Sequence, residues 1–245
     1  MRSGNPALTA DTFRGIRAGT GDATMTIGGT VNKTALSLVI LLATASYTWN
    51  LGLTRPEQVG PWIMGGAIGG LIAALVTIWR KEWAGLTTPL YAALEGLVLG
   101  GISVLFESRY PGIVSQAVFL TFGTLGALLL AYRSGLIKAT ENFKLGVVAA
   151  TGGIFFIYLI GWVMSLFGSG IPLIHQSGTV GILFSLFVVV IAALNLVLDF
   201  DFIEMGAERG APKYMEWYGA FGLLVTLVWL YLEMLRLLAK LQDRR

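Results

Sequence analysis

The chain has 245 residues, 55% of them hydrophobic and only 13% charged, with a formal net charge of +3 and a mean hydropathy of +0.74. Soluble domains carry roughly 25% charged residues, so the composition excludes an ordinary soluble globule and points to a polytopic membrane protein. Cysteine is absent and histidine occurs once, at His175. Disulfide frameworks, thiolate chemistry and imidazole clusters within one chain are thereby excluded, and the scattered basic residues form no nucleic-acid-binding run.

Residues 1–33 are polar, rich in Thr and Gly, and read as an N-terminal cytosolic arm ahead of a transmembrane domain at 34–245. Leu8, Phe13 and Ile16 leave open a weak apolar face lying on the membrane. Seven apolar segments follow, at 35–53, 61–79, 89–106, 113–132, 145–167, 178–198 and 217–238. Each is close to the roughly 20 residues that cross a hydrocarbon core as a helix. Lipid offers no partner to unpaired backbone groups, so helices are expected, and the alternation of a β-barrel is missing. The predicted fold is an all-α integral membrane protein, a bundle of seven transmembrane helices.

Basic residues set an expected orientation. With the N-terminus inside, Arg2, Arg14, Arg17, Lys33, Arg80, Lys81, Arg133, Lys138, Lys144, Arg209 and Lys213 fall on the cytosolic side, and only Arg55 and Arg109 lie in outer loops. This is a positive-inside pattern. The basic tail with Arg236, Lys240, Arg244 and Arg245 opposes it, so either the tail is translocated or the last segment stops short of crossing.

Small residues recur at helical spacing. Gly65 and Gly69, Gly66 and Gly70, and Gly96 and Gly100 are each four apart, which lets helix backbones approach closely in lipid. Two readings stand, packing within the bundle and an oligomer contact.

Polar residues within the apolar segments are the candidate site, because intramembrane ionisable groups are costly and tend to be functional. Glu95 lies in LYAALEGLVLGG. Asp199 closes the sixth segment, with Asn195 one turn before it and Asp201 after it. Gln116 stands near the outer end of the fourth segment. Arg80, Glu95 and Asp199 share the cytosolic side in this topology and could form a buried cluster of one base and two acids; alternatively Asp199 sits among headgroups and Glu95 is satisfied by a neighbouring helix. Asp201 and Glu204 are expected to face water. Glu233 and Arg236, three apart, are expected to pair on one helix face. His175 has no acid nearby in sequence. No G-x-S-x-G or zinc-protease motif and no P-loop is found, so neither an enzyme nor an ATP-driven pump is expected, and no cofactor.

LDFDFIEMGAERG, followed by an apolar last segment ending in EMLRLLAKL, resembles the end of the Bax inhibitor-1 (transmembrane Bax-inhibitor motif) family. EGLVLGGISVLFESRYPGIVSQAVFLTFGTLGALLLAYRSG and the opening RSGNPAL are similar to its bacterial Bax inhibitor-1/YccA-like branch, and the resemblance spans essentially the whole chain. It implies seven helices with the last one central, in a bacterial cytoplasmic membrane. It also implies a pH-sensitive passive calcium or proton leak, latched at the inner mouth by two aspartates that share a proton. Asp199 matches the first aspartate. The second falls at Thr226, which cannot ionise. Arg80 matches a basic residue that opposes the latch in some members, and the family's second-helix glutamate is missing, its place lying near Gly69. Thr226 can still donate its hydroxyl hydrogen to an ionised Asp199, so gating by pH is expected to be weaker than with two acids, with Glu95 as the titrating group. The alternative reading is a non-conducting regulator that binds other membrane proteins, such as a membrane protease. Expected partners are thus the lipid bilayer, calcium or protons, and other membrane proteins, with no nucleic acid.

Overall fold

The computed structural model describes residues 23–167 and 178–244. The arm up to residue 22, including Leu8, Phe13 and Ile16, and the loop with His175 lie outside the described residues. Among the described residues seven helices are long and apolar enough to cross a membrane. They are α1 (Ile27–Thr54), α2 (Val59–Trp79), α3 (Ala84–Arg109), α4 (Ile113–Arg133), α5 (Glu141–Leu166), α6 (Thr179–Glu208) and α7 (Met215–Asp243). The last is the most deeply covered, with 72% of its most apolar window buried.

Two boundaries depart furthest from the predicted segments. Helix α1 starts at Ile27 rather than 35, capped by Thr26, whose hydroxyl accepts from the Gly29 amide at 3.0 Å. Its first turns are too polar to register as an apolar run, but a capped N-terminus needs no hydrophobicity. Helix α6 runs ten residues past the predicted end at 198, to Glu208. Acidic residues end an apolar run; they do not end a helix. The consequence is that Asp199 lies inside α6 rather than closing it.

The chain divides into two compact units. In one, formed by α1–α3 with residues 201–225, α3 packs against both α1 and α2. Glycine makes both contacts possible. A Cβ on Gly66 of α2 would stand 2.7 Å from the Leu94 carbonyl oxygen and 2.9 Å from Val98 Cγ2. Cβ atoms on Gly96 and Gly100 of α3 would run into the backbone of α1 at Leu41 and Ala45 and into the hydroxyls of Thr44 and Thr48. These are close backbone approaches of the small-residue kind. Gly70 also faces α3, Gly69 is partly covered by Leu94, and Gly65 is open. The first turn of α7 is tied into this unit by Glu216. Its wholly buried carboxylate accepts from the Thr26 amide at 2.9 Å, from the Thr26 hydroxyl at 2.8 Å and from Lys213 at 2.7 Å, and it pairs with Lys33.

The other unit contains α4, α5, α6 as far as Phe200, and α7 from Thr226. Its core is Ile154 of α5 with Val188 and Ile191 of α6, covered by Tyr158, Phe184, Leu194 and Trp229. The turn into α4 is made by Gly112 at φ 84°, a left-handed conformation that glycine adopts without a Cβ penalty.

Candidate functional site

Polar side chains at regular spacing line the facing surfaces of α5, α6 and α7. On α7, Thr226, Glu233 and Lys240 are seven residues apart and all buried, so they fall on one face two turns at a time. On α5, Thr151 and Tyr158 are again seven apart. On α6, Ser185, Asn195 and Asp199 are buried, Asp199 with no exposed surface.

Hydrogen bonds tie these stripes together. Lys240 donates to the Gly181 carbonyl at 3.1 Å and to Ser185 Oγ at 2.8 Å. One step along α7, Glu233 accepts from the Tyr158 hydroxyl and, at 2.6 Å, from Arg236, which also donates to Tyr158 at 3.0 Å. The Glu233–Arg236 pair expected from their spacing is therefore formed, but Tyr158 on α5 completes it. Further along, Asn195 donates through Nδ2 to Thr151 Oγ1 and to the Ile191 carbonyl, both at 2.9 Å.

The bond between Lys240 and Ser185 joins α7 to α6. Trp229 packs on the Val188 and Ile191 cluster, so stepping back along α7 means stepping forward along α6, an antiparallel pair. Ser185 and Asp199 are fourteen residues apart, as are Lys240 and Thr226. Each helix therefore carries buried polar side chains at both ends of a fourteen-residue stretch. Between the Asn195 layer and the Glu233 layer lies the apolar cluster of Ile154, Val188, Ile191 and Trp229.

The family profile described as Bax inhibitor 1 like matches residues 5–243. The chain belongs to the Bax inhibitor-1-like family. No curated protein and no solved structure gives a significant match. In this family member the remaining sequence-derived candidates are spread out. Glu95 and Arg80 belong to the other compact unit from Asp199 and Thr226. Glu95 is half-buried on α3, its Oε2 lying 3.1 Å from where a Cβ on Gly70 would be. The missing side chain of Gly70 leaves room for that carboxylate.

Arg80 is exposed at the C-terminal cap of α2 rather than buried. Asp201 is half-buried and Glu204 exposed on α6, while Gln116 is exposed near the start of α4. Among the described residues no group of three or more His, Cys, Asp and Glu side chains converges.

Sequence reasoning missed Tyr158, Thr151 and Ser185 as partners, and Lys240 as a buried group. The seven-residue steps between Thr226, Glu233 and Lys240 were the available signal, hidden because Lys240 reads as part of a basic tail.

Proposed function

We propose that this Bax inhibitor-1-like protein is a pH-sensitive passive leak for cations, calcium or protons, and that the polar stripes of α5, α6 and α7 form its route. The observation that carries this reading is the wholly buried carboxylate of Asp199 on α6, with Thr226 buried on α7. A charge-bearing group at such a position is expensive, and in membrane proteins it marks ion and proton pathways. The stripes continue past Asn195 and Glu233 to Lys240, so polar groups recur along the second half of α7. The route is shut in this conformation. The apolar layer of Ile154, Val188, Ile191 and Trp229 interrupts it, and such constrictions gate by excluding water.

The reading has the N-terminus on the cytoplasmic side of a bacterial cytoplasmic membrane, with Asp199 and Thr226 in the inner half. Glu95 is a second titrating group. Thr226 supplies a hydroxyl where a second acid would hold a shared proton, so the pH response is shallow.

The test is flux through purified protein in liposomes, followed with calcium and pH dyes at two pH values. Flux above that of empty vesicles, reduced by Asp199→Asn, is the expected result. Absence of flux at both pH values sinks the leak and leaves the regulator that binds other membrane proteins. The outer face of α2 gives that alternative little support: it presents Met64, Ile68, Leu71 and Ile72, bulky residues suited to lipid, around the open Gly65.

A further inference from the structure

Within the α1–α3 unit the start of α3 and the start of α7 are held together. Thr88 donates its hydroxyl to the Trp217 carbonyl at 3.1 Å, and a Cβ on Gly85 would stand 3.5 Å from the Trp217 indole. Lys33, near the start of α1, carries its ammonium over the same indole, 5.6 Å from the ring centre. Lys81, in the turn between α2 and α3, stands 5.9 Å from the centre of the Tyr218 ring. Both distances are within the range of cation–π attraction. The turn at 80–83 and the segment 213–218 therefore form one surface, with Lys33 at its edge.

What this surface presents is basic and aromatic. Arg80 is exposed, and the side chain of Lys213 is 50% exposed. Trp79 and Trp83, either side of Arg80 and Lys81, are 76% and 58% exposed. The carboxylates are unequal. Glu216 is wholly buried and held by Lys33 and Lys213, so it offers no negative face. Glu82 is exposed and stands by Tyr214, whose hydroxyl is pushed up by burial and then by the Glu82 charge. Trp79 is the last residue of a helix long and apolar enough to cross the membrane, and Arg80 caps it. Tryptophan at such a helix end marks the boundary between hydrocarbon and headgroups.

We propose that this surface binds the headgroup of an anionic phospholipid, with the phosphodiester facing Arg80, Lys81 and Lys213 and the indoles of Trp79 and Trp83 against the glycerol and upper acyl chains. Basic surfaces between membrane helices take such headgroups, and a guanidinium can grip two phosphate oxygens at once. A free phosphate would meet the same charges but leave both indoles unused. A lipid uses charge and aromatic surface together, at the level where lipid phosphates lie. The site is independent of whether the protein conducts.

The test is the melting temperature of the full-length protein in uncharged detergent, followed as phosphatidylglycerol is added, with phosphatidylcholine and inorganic phosphate as comparisons. Phosphatidylglycerol should raise the melt saturably, and neither comparison should do so at the same concentration. A cation near a membrane surface contributes about 5-fold in binding. Arg80→Glu changes the charge by two units and should weaken the apparent affinity about 30-fold. Glu82→Gln removes the exposed acid and should tighten it about 5-fold. Arg133→Glu, at an exposed position ending α4, makes the same charge change elsewhere and should leave the affinity as it is. Each variant is compared with its own lipid-free melt, which separates binding from any loss of stability. The proposal is overturned if Arg133→Glu weakens binding as much as Arg80→Glu, since the attraction would then be to net charge alone. Equal shifts from phosphatidylcholine or inorganic phosphate overturn it too, as does the absence of any shift with phosphatidylglycerol.

Discussion

Tyr158 donates its hydroxyl to both oxygens of Glu233, at 3.0 and 3.2 Å, reaching from α5 to a carboxylate on α7 that is only 2% exposed. Arg236 binds the same carboxylate and lies over the Tyr158 ring, 5.3 Å from its centre. Two side chains therefore hold one buried carboxylate. Tyr158→Phe removes a donor and leaves the aromatic packing, so the expected loss of stability is about 1–2 kcal/mol, read as a lower melting temperature in detergent. An unchanged melt would show that Arg236 alone satisfies Glu233.

The glycines of α2 make a paired prediction. Gly66→Leu forces a side chain into the Leu94 carbonyl and Val98 and should cost about 1–3 kcal/mol by overfilling. Gly65→Leu, next along the chain and open, should leave the melt of the monomer unchanged. If Gly65→Leu instead abolished a higher oligomer seen by light scattering, that face would be an intermolecular contact.

Glu216 offers a test of a buried charge outside the candidate route. Removing it by Glu216→Ala strands Lys33 and the Thr26 donors, and losing one partner of a buried pair costs about 3–5 kcal/mol. Lys33→Met should cost less, because Lys213 still binds the carboxylate at 2.7 Å. Gly29→Ala should be harmful despite its small size, since the added methyl would occupy the space of the Glu216 carboxylate. Thermal melts of the three variants rank the effects, and a harmless Glu216→Ala would refute the anchoring role.

Restoring an acid on α7 bears on gating. In the leak reading Thr226→Asp supplies the second carboxyl of the latch, and two carboxyls that come close titrate as a coupled pair. Liposome flux should then respond more steeply to pH than in the wild type, while Glu95→Gln should change the response more than Asp201→Asn does. Flux insensitive to Thr226→Asp, Asp199→Asn and Glu95→Gln alike would place the route elsewhere.

The side of each terminus is testable by fusion. A reporter after Arg245 should read as external if the N-terminus is cytoplasmic and seven helices cross. A cytoplasmic reading would overturn the seven-crossing topology.

The seven helices were legible because apolar length speaks directly to the bilayer. Their ends were less so, since capping at Thr26 and the continuation of α6 through Asp199 and Asp201 depend on backbone hydrogen bonding rather than on hydropathy. Asp199 stood out as a carboxylate bordering an apolar run, and Asn195 as its neighbour. Their burial did not, because it is decided by which helix faces which. The partners from α5 were out of reach for the same reason: a tyrosine near a helix end looks like an interfacial anchor until the opposite wall is known. The exposure of Arg80 was equally out of reach, because position along the sequence does not give depth in a protein.

The glycines of α3 have a consequence for biogenesis. Gly96 and Gly100 seat α1, whereas Gly66 of α2 receives α3 from the other side, and α1 and α2 barely touch each other. Apart from the edge-on contact of Tyr47 with Trp62, 5.3 Å between ring centres, these two helices have little to hold them together before α3 arrives. They must wait in the bilayer as independent spans until α3, ending thirty residues after α2, is inserted between them, a delay of roughly 2–6 s at about 5–20 residues per second. During that interval the bare glycine faces are open to any passing helix, so quality control of nascent chains would meet this protein first as two unpaired spans.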